Sequence, residues 1–137
     1  MSGRKSREKG KRGEREARDR IRRYGYDAQR GVQYKGGPDS PDVTGLPGVH
    51  LEVKRVQALQ LYVALSQSDS DAAEDEFPVV MHRKDRQDWV IIQPFDDWML
   101  LYEGAKELQR QSGEKAEQSL RGFLKGLLEK LLRDRMV

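Results

Sequence analysis

The sequence predicts an α/β fold with a mixed central sheet, and three observations favour this class over a doubly wound parallel fold. The predicted order is one helix, three strands, a second helix, two strands and a helical tail. Residues 49–55 alternate between apolar and polar side chains, which is typical of a strand. Turn signals at residues 36–38 and 47–48 separate the first three strands. The 137 residues fit one domain and contain no internal repeat.

The first helix is predicted over residues 13–24, where Ala17 and Ile21 share one face and Gly25 follows as a stop signal. Residues 1–12 carry no apolar side chain after the initial methionine. They are therefore predicted to form a flexible basic arm.

Five strands and a second helix follow. The strands are predicted at residues 27–34, 42–46, 49–55, 78–82 and 89–93. The second and third of them form one hairpin, and the last two form another. The second helix is predicted over residues 57–68, with Tyr62 and Val63 facing inward. The acidic run at 69–76 is predicted to be a solvated loop.

The remaining segment, residues 95–137, is predicted to be a helical extension of the 13–94 core, broken near Ser112 and Gly113. Its second piece carries a single apolar stripe made of Leu120, Phe123, Leu124, Leu127, Leu128, Leu131 and Leu132. Such a stripe has to be covered by the sheet, by another protein or by a second subunit. We expect a second subunit, and hence a homodimer.

Composition excludes several classes of protein. The chain has no cysteine, which excludes disulfides and thiolate metal sites. No apolar run has the length of a membrane span. We expect a protein without a membrane partner that works in the cytoplasm or on the nucleoid.

Charge is unevenly distributed along the chain. Residues 1–35 hold thirteen Lys and Arg against five Asp and Glu, whereas the rest of the chain is net acidic. This asymmetry favours nucleic acid as the partner, although a merely solvated arm remains an alternative. The basic side chains expected to contact DNA in this segment are Arg4, Lys5, Arg7, Lys9, Lys11, Arg12 and Lys35.

A candidate metal site lies on the first hairpin. Glu52 and Lys54 fall on one side of their strand, and Asp42 begins the partner strand. Two carboxylates supply the oxygen ligands that Mg²⁺ prefers, and a neighbouring lysine can position a water molecule or counter charge on a phosphate. Glu14, on the inward face of the first helix, either joins this group or forms a salt bridge with Lys54 or an arginine.

These residues belong to a longer pattern of motifs. Its parts are Lys9-Gly10-x-x-x-Glu14-Arg15-Glu16, Gly25-Tyr26, Pro41-Asp42-Val43 and Leu51-Glu52-Val53-Lys54. In this order and spacing, residues 9–93 resemble the PD-(D/E)xK nuclease superfamily, and within it the archaeal and phage Holliday junction resolvase-like proteins.

The resemblance implies a restriction-endonuclease-like α-β-β-β-α-β core and assigns a role to each motif. Asp42 and Glu52 would bind Mg²⁺, for which Mn²⁺ would substitute, and Lys54 would be the catalytic lysine. Glu14 would complete the metal site. Arg30 would lie near the scissile phosphate.

Two positions have alternatives. Asp39 also follows a proline, but we prefer Asp42 because Val43 and Thr44 continue as a strand. Relatives often carry a glutamine in the second helix, and either Gln67 or Gln60 can fill that position or be a surface amide.

Two histidines and two tryptophans complete the candidate residues. His50 is expected to be a surface residue at a strand end, although it lies on the Glu52 side. His82 is expected to be structural or a phosphate contact. Trp89 and Trp98 are expected to pack in the core.

The resemblance as a whole implies a Mg²⁺-dependent endonuclease that hydrolyses phosphodiesters in branched DNA, such as Holliday junctions, as a homodimer. A phage origin fits this interpretation. The alternatives are a nuclease of the same fold that cuts flaps, ends or plain duplex, and a DNA-binding or assembly module without catalytic activity.

Overall fold

The computed structural model describes residues 2–31 and 40–136, which form an α/β fold with a mixed five-stranded sheet. The elements in chain order are α1 Ser2–Arg22, β1 Gln29–Arg30, β2 Val43–Thr44, β3 Val49–Arg55, α2 Leu61–Asp71, β4 Phe77–Arg83, β5 Val90–Ile92 and α3 Phe95–Arg135. The predicted fold class and the two predicted hairpins are confirmed at this level.

The sheet has the spatial order β1-β2-β3-β4-β5. Only the β3–β4 pair is parallel among these strands, and the other three pairs are antiparallel. Because a parallel neighbour requires a crossover, the chain passes through α2 between β3 and β4. The parallel register places Leu51 beside Val79 and Glu52 beside Val80.

The two faces of β3 have different partners. Leu51 and Val53 belong to a buried apolar cluster that includes Ala17 and Ile21 of α1. Side chains alternate along a strand, so His50, Glu52 and Lys54 lie on the opposite face. Helix α2 lies on that face, since its Gln67 contacts Lys54.

Helix α1 is longer than the sequence predicts. Residues 3–12, expected to be part of a flexible arm, are helical and exposed, and they continue without interruption into the buried part of α1. Adding a residue to an existing helix avoids the cost of nucleation, and Lys and Arg have good helix propensity. The anchored half of α1 therefore supports an extension that has no apolar face of its own.

Helix α2 presents a different face from the predicted one. Tyr62 is 82% exposed and Val63 is also exposed, whereas Ala64 and Ser68 are buried. The Ser68 hydroxyl lies 3.3 Å from the backbone oxygens of His50 and Val79, bridging the two parallel strands. The helix packs through this small side, which allows it to lie close to the sheet.

The chain divides into two compact units between Pro94 and Phe95. In the second unit, α3 is interrupted at Gly113, whose φ of 56° is left-handed, so the predicted break is confirmed. Phe123, Leu124, Leu128 and Leu132 are each at least half exposed.

Trp98 is 49% exposed and stacks between Phe95 and Tyr102, so its prediction as a core residue is wrong.

In the described part of the chain, no helix combines the length and the hydropathy needed to cross a membrane.

The close contact between α1 and β3 requires glycine at position 13. A Cβ at Gly13 would lie 2.5 Å from the Cβ of Arg55, whereas one at Gly10 would meet no atom within 4 Å. Gly13→Ala should therefore lower the free energy of unfolding by about 1–3 kcal/mol, because overpacking outweighs the gain in helix propensity.

Gly10→Ala is the matched control, and it should raise stability by up to about 1 kcal/mol because it adds helix propensity without a contact. Urea unfolding of both variants checks the prediction. Equal stabilisation by the two substitutions would show that α1 does not need this close approach.

Candidate active site

The β2–β3 hairpin places Asp42 against the middle of β3. Val43 pairs with Leu51, and the amide of Asp42 donates to the carbonyl of Leu51 at 2.9 Å. One Asp42 carboxylate oxygen accepts the amide hydrogen of Val53 at 2.8 Å. The side chain of Asp42 is thus held against β3, the strand that carries Glu52. This position agrees with the preference for Asp42 as a candidate ligand.

Glu52 lies beside Asp42 and is 4% exposed. Burial raises the pKa of Asp42 to about 7, with the Val53 amide opposing this effect and the charge of Glu52 adding to it. Burial also raises the pKa of Glu52, although its hydrogen bond with Asp42 and the charge of Lys54 act the other way. Two carboxylates this close cannot both ionise freely, because the charge of one disfavours the charge of the other.

Lys54 is the cation of β3 on this face. Its Nζ donates to Oε1 of Gln67 at 3.3 Å, so α2 fixes the position of the ammonium group next to the carboxylate pair. Gln67 is therefore the glutamine that contacts the site residues. Gln60 is exposed at the residue before α2 begins.

Glu14 is buried on α1 and forms an ion pair with Arg30 of β1. The Nε and Nη2 atoms of Arg30 lie 3.0 and 2.8 Å from the same carboxylate oxygen. The charge of Glu14 nevertheless contributes to the raised pKa of Glu52, so it lies within electrostatic reach of the pair. Glu14 thus forms a salt bridge with an arginine, which is one of the alternatives that the sequence left open. It still lies close enough to Glu52 to affect its pKa.

His50 is fully buried, so its prediction as a surface histidine is wrong. Its Nε2 lies 3.0 Å from Oε1 of Glu52. His50 and Glu52 are two apart on a strand, which is a sequence signal that both side chains share a face. Because α2 covers that face, the histidine is buried rather than solvated.

Asp71 was missed because it falls in the acidic run predicted to be a loop. Helix α2 extends to Asp71, and ligand atoms of His50, Glu52 and Asp71 lie within 4.8 Å of one another. Gln67 and Asp71 are spaced i, i+4, so a longer predicted helix would have placed both on one face.

The remaining predicted site residues have separate positions. His82 is buried, and its ring nitrogen lies 3.0 Å from the carbonyl oxygen of Val56, which agrees with the structural alternative. Trp89 is partly buried against the core. Lys35 and Asp39 lie outside the described residues.

The basic side chains of α1 form a groove with the end of β3. Arg4, Lys5, Lys9, Arg12 and Arg15 line it together with Glu8, Arg55 and Asp85. Arg55 is buried and donates to Glu16 at 3.2 Å and to Asp85 at 2.6 Å. Because its charge is already paired, it supports the groove rather than binding a ligand there. Arg7 and Lys11 are also exposed on α1, and Nζ of Lys11 lies 3.9 Å from a carboxylate oxygen of Glu8.

The donor set fits a hard divalent cation. Asp42 and Glu52 offer adjacent carboxylate oxygens, and a cation bound between them would offset the burial cost and relieve the repulsion that together raise the pKa of Asp42. Asp42, Glu52 and Lys54 are thus brought together as predicted from the sequence.

Comparison with known proteins returned no matching family model, curated protein or solved structure.

The raised pKa of Asp42 predicts a pH dependence of stability. Between about pH 4 and pH 7 the native state retains a proton that the unfolded chain releases, so stability falls as the pH rises. Asp42→Asn keeps the acceptor for Val53 without this cost. In EDTA at about pH 8 it should raise the free energy of unfolding by about 1–3 kcal/mol.

At about pH 4 the same substitution should change stability little, because Asp42 is then protonated in the native state. Asp75→Asn, at an exposed turn, is the control and should be neutral at both pH values. Chemical unfolding at the two pH values measures the difference, and an Asp42→Asn effect equal at both would contradict the raised pKa of Asp42.

Proposed function

We propose that this protein is a Mg²⁺-dependent nuclease that hydrolyses DNA phosphodiesters. The observation that carries the proposal is the buried Glu52 beside the half-buried Asp42, with the ammonium group of Lys54 on the same strand face as Glu52 and held by Gln67. Carboxylates that are buried without full compensation cost stability, and such groups concentrate at functional sites. The order α1, three strands, α2, β4 also agrees with the restriction-endonuclease-like core that the resemblance implies.

Each side chain has a role in this chemistry. Asp42 and Glu52 hold the cation, which would supply Lewis-acid stabilisation of the charge on the phosphoryl group. Lys54 orients the attacking water and stabilises negative charge on the phosphate oxygens. Gln67 is a positioning residue for Lys54, and Arg30 positions Glu14 at the edge of the carboxylate pair.

DNA is the polyanion that the charge distribution supports best. The basic groove along α1 offers five cationic side chains beside the fold that carries the site. Such contacts bind the phosphate backbone irrespective of sequence.

Branched DNA as the substrate and a homodimer joined through the α3 stripe are part of the proposal. A panel of junction, flap, duplex and single-stranded DNA tests the former, and light scattering tests the latter.

Cleavage assays on this panel with Mg²⁺ test the nuclease directly. Glu52→Gln and Lys54→Ala should each lower the rate by at least about 100-fold while leaving DNA binding nearly intact, because both side chains act at the phosphate. EDTA should abolish cleavage by the wild-type protein.

Matched controls are Glu74→Gln and Lys106→Ala, which change exposed residues outside the site and should cleave at the wild-type rate. Activity that survives in Glu52→Gln would point to a contaminating nuclease or another site. DNA binding without metal-dependent cleavage on any substrate would favour the non-catalytic module.

The groove on α1 predicts the salt dependence of DNA binding. Replacing Lys5, Lys9 and Arg12 with Gln should weaken binding. It should also flatten the slope of log K against log salt by about 0.9 for each phosphate of duplex DNA that the variant no longer neutralises.

Replacing Lys125, Lys130 and Arg133 with Gln removes the same charge from α3 and should leave that slope unchanged. Fluorescence anisotropy over a range of salt concentrations measures both variants. An equal effect of the two sets would mean that net charge, rather than the α1 groove, determines the affinity.

A further inference from the structure

Glu52 has a second group of neighbours besides Asp42. Ligand atoms of His50, Glu52 and Asp71 lie within 4.8 Å of one another, and Nε2 of His50 is 3.0 Å from Oε1 of Glu52. Adjacent ligands on a divalent cation with bonds of about 2.1 Å are separated by about 3 Å. The three groups therefore need little movement to converge on one ion.

The imidazole of His50 is placed as in a metal-binding histidine. Its side chain is fully buried, and among the described residues its Nδ1 has no hydrogen-bond partner. A carboxylate oxygen of Glu76 lies 3.9 Å from that Nδ1. Histidine ligands commonly donate their second ring nitrogen to a carboxylate, and Glu76 needs to move by only about 1 Å to accept from Nδ1 and leave Nε2 for the metal.

The charge around Glu52 also favours a cation on this side. The ligand oxygens of Glu52 and Asp71 lie within 4.8 Å of each other, and a carboxylate oxygen of Glu76 lies 3.9 Å from Nδ1 of His50. The nearby ammonium group of Lys54 is bonded to Gln67 rather than to these carboxylates. A divalent ion between His50 and Asp71 would compensate this excess of negative charge.

We propose that His50, Glu52 and Asp71 form a second cation site, which selects a transition metal such as Mn²⁺, Co²⁺ or Zn²⁺ over Mg²⁺. One imidazole nitrogen with two carboxylates is a donor set that suits these ions, whereas Mg²⁺ prefers oxygen ligands alone. Glu52 contributes to both sites, and Asp42 belongs to the Mg²⁺ site. The inference goes beyond the nuclease proposal, because metal selection does not depend on DNA being the substrate.

Co²⁺ is the probe. Its binding to the full chain is measured by calorimetry and by the visible absorption of the ion. The wild-type protein should bind one equivalent that a large excess of Mg²⁺ does not displace. His50→Gln should weaken that binding by at least about tenfold and remove the absorption of the nitrogen-ligated ion. Asp71→Asn, a nearly isosteric change at a partly exposed position, should weaken the same binding event and tests the site if His50→Gln does not fold.

Asp69→Asn is the control from the exposed side of α2 and should bind Co²⁺ as the wild type does. Loss of Mg²⁺-resistant binding in both site variants supports the proposal. Unchanged Co²⁺ binding in His50→Gln or in folded Asp71→Asn would overturn it and leave His50 as a structural hydrogen-bond partner of Glu52. DNA cleavage by the protein with Mg²⁺ as the only divalent metal is a separate measurement. Either proposal can therefore fail while the other stands.

Discussion

The structure depends on burying Glu52 beside Asp42. Two carboxylates in a poorly solvated place repel one another, and their raised pKa values express that cost. The surrounding groups offset part of it: the Val53 amide donates to Asp42, and the charge of Lys54 favours the ionised form of Glu52. The close approach of these two carboxylates thus lowers the stability of the fold.

Strand β3 connects this site to the rest of the fold. One face carries Leu51 and Val53 into the apolar cluster under α1, and the other carries the polar residues under α2. The parallel pairing with β4 requires the α2 crossover, and Ser68 joins that helix to both strands. The same packing that stabilises the sheet therefore excludes water from Glu52.

The two helices differ in how they serve the sheet. Helix α1 is anchored by the close approach at Gly13 and by the buried Arg55, and its free half presents basic side chains along a groove. Helix α2 instead contributes the polar groups Gln67 and Asp71 on the side of the strand that carries Glu52. One helix thus carries a row of exposed basic side chains, and the other contributes polar side chains beside Glu52.

The sequence by itself determined the α/β class, both hairpins, the bounds of β3 and the break at Gly113, because alternation and glycine signals are local. It also brought Asp42, Glu52 and Lys54 together, since a hairpin register fixes such neighbours. Only the tertiary structure decided that residues 3–12 continue α1 and that α2 packs through Ala64 and Ser68. It likewise decided that His50 is buried and that Asp71 reaches Glu52, because burial depends on which helix covers a face, and no local pattern records that.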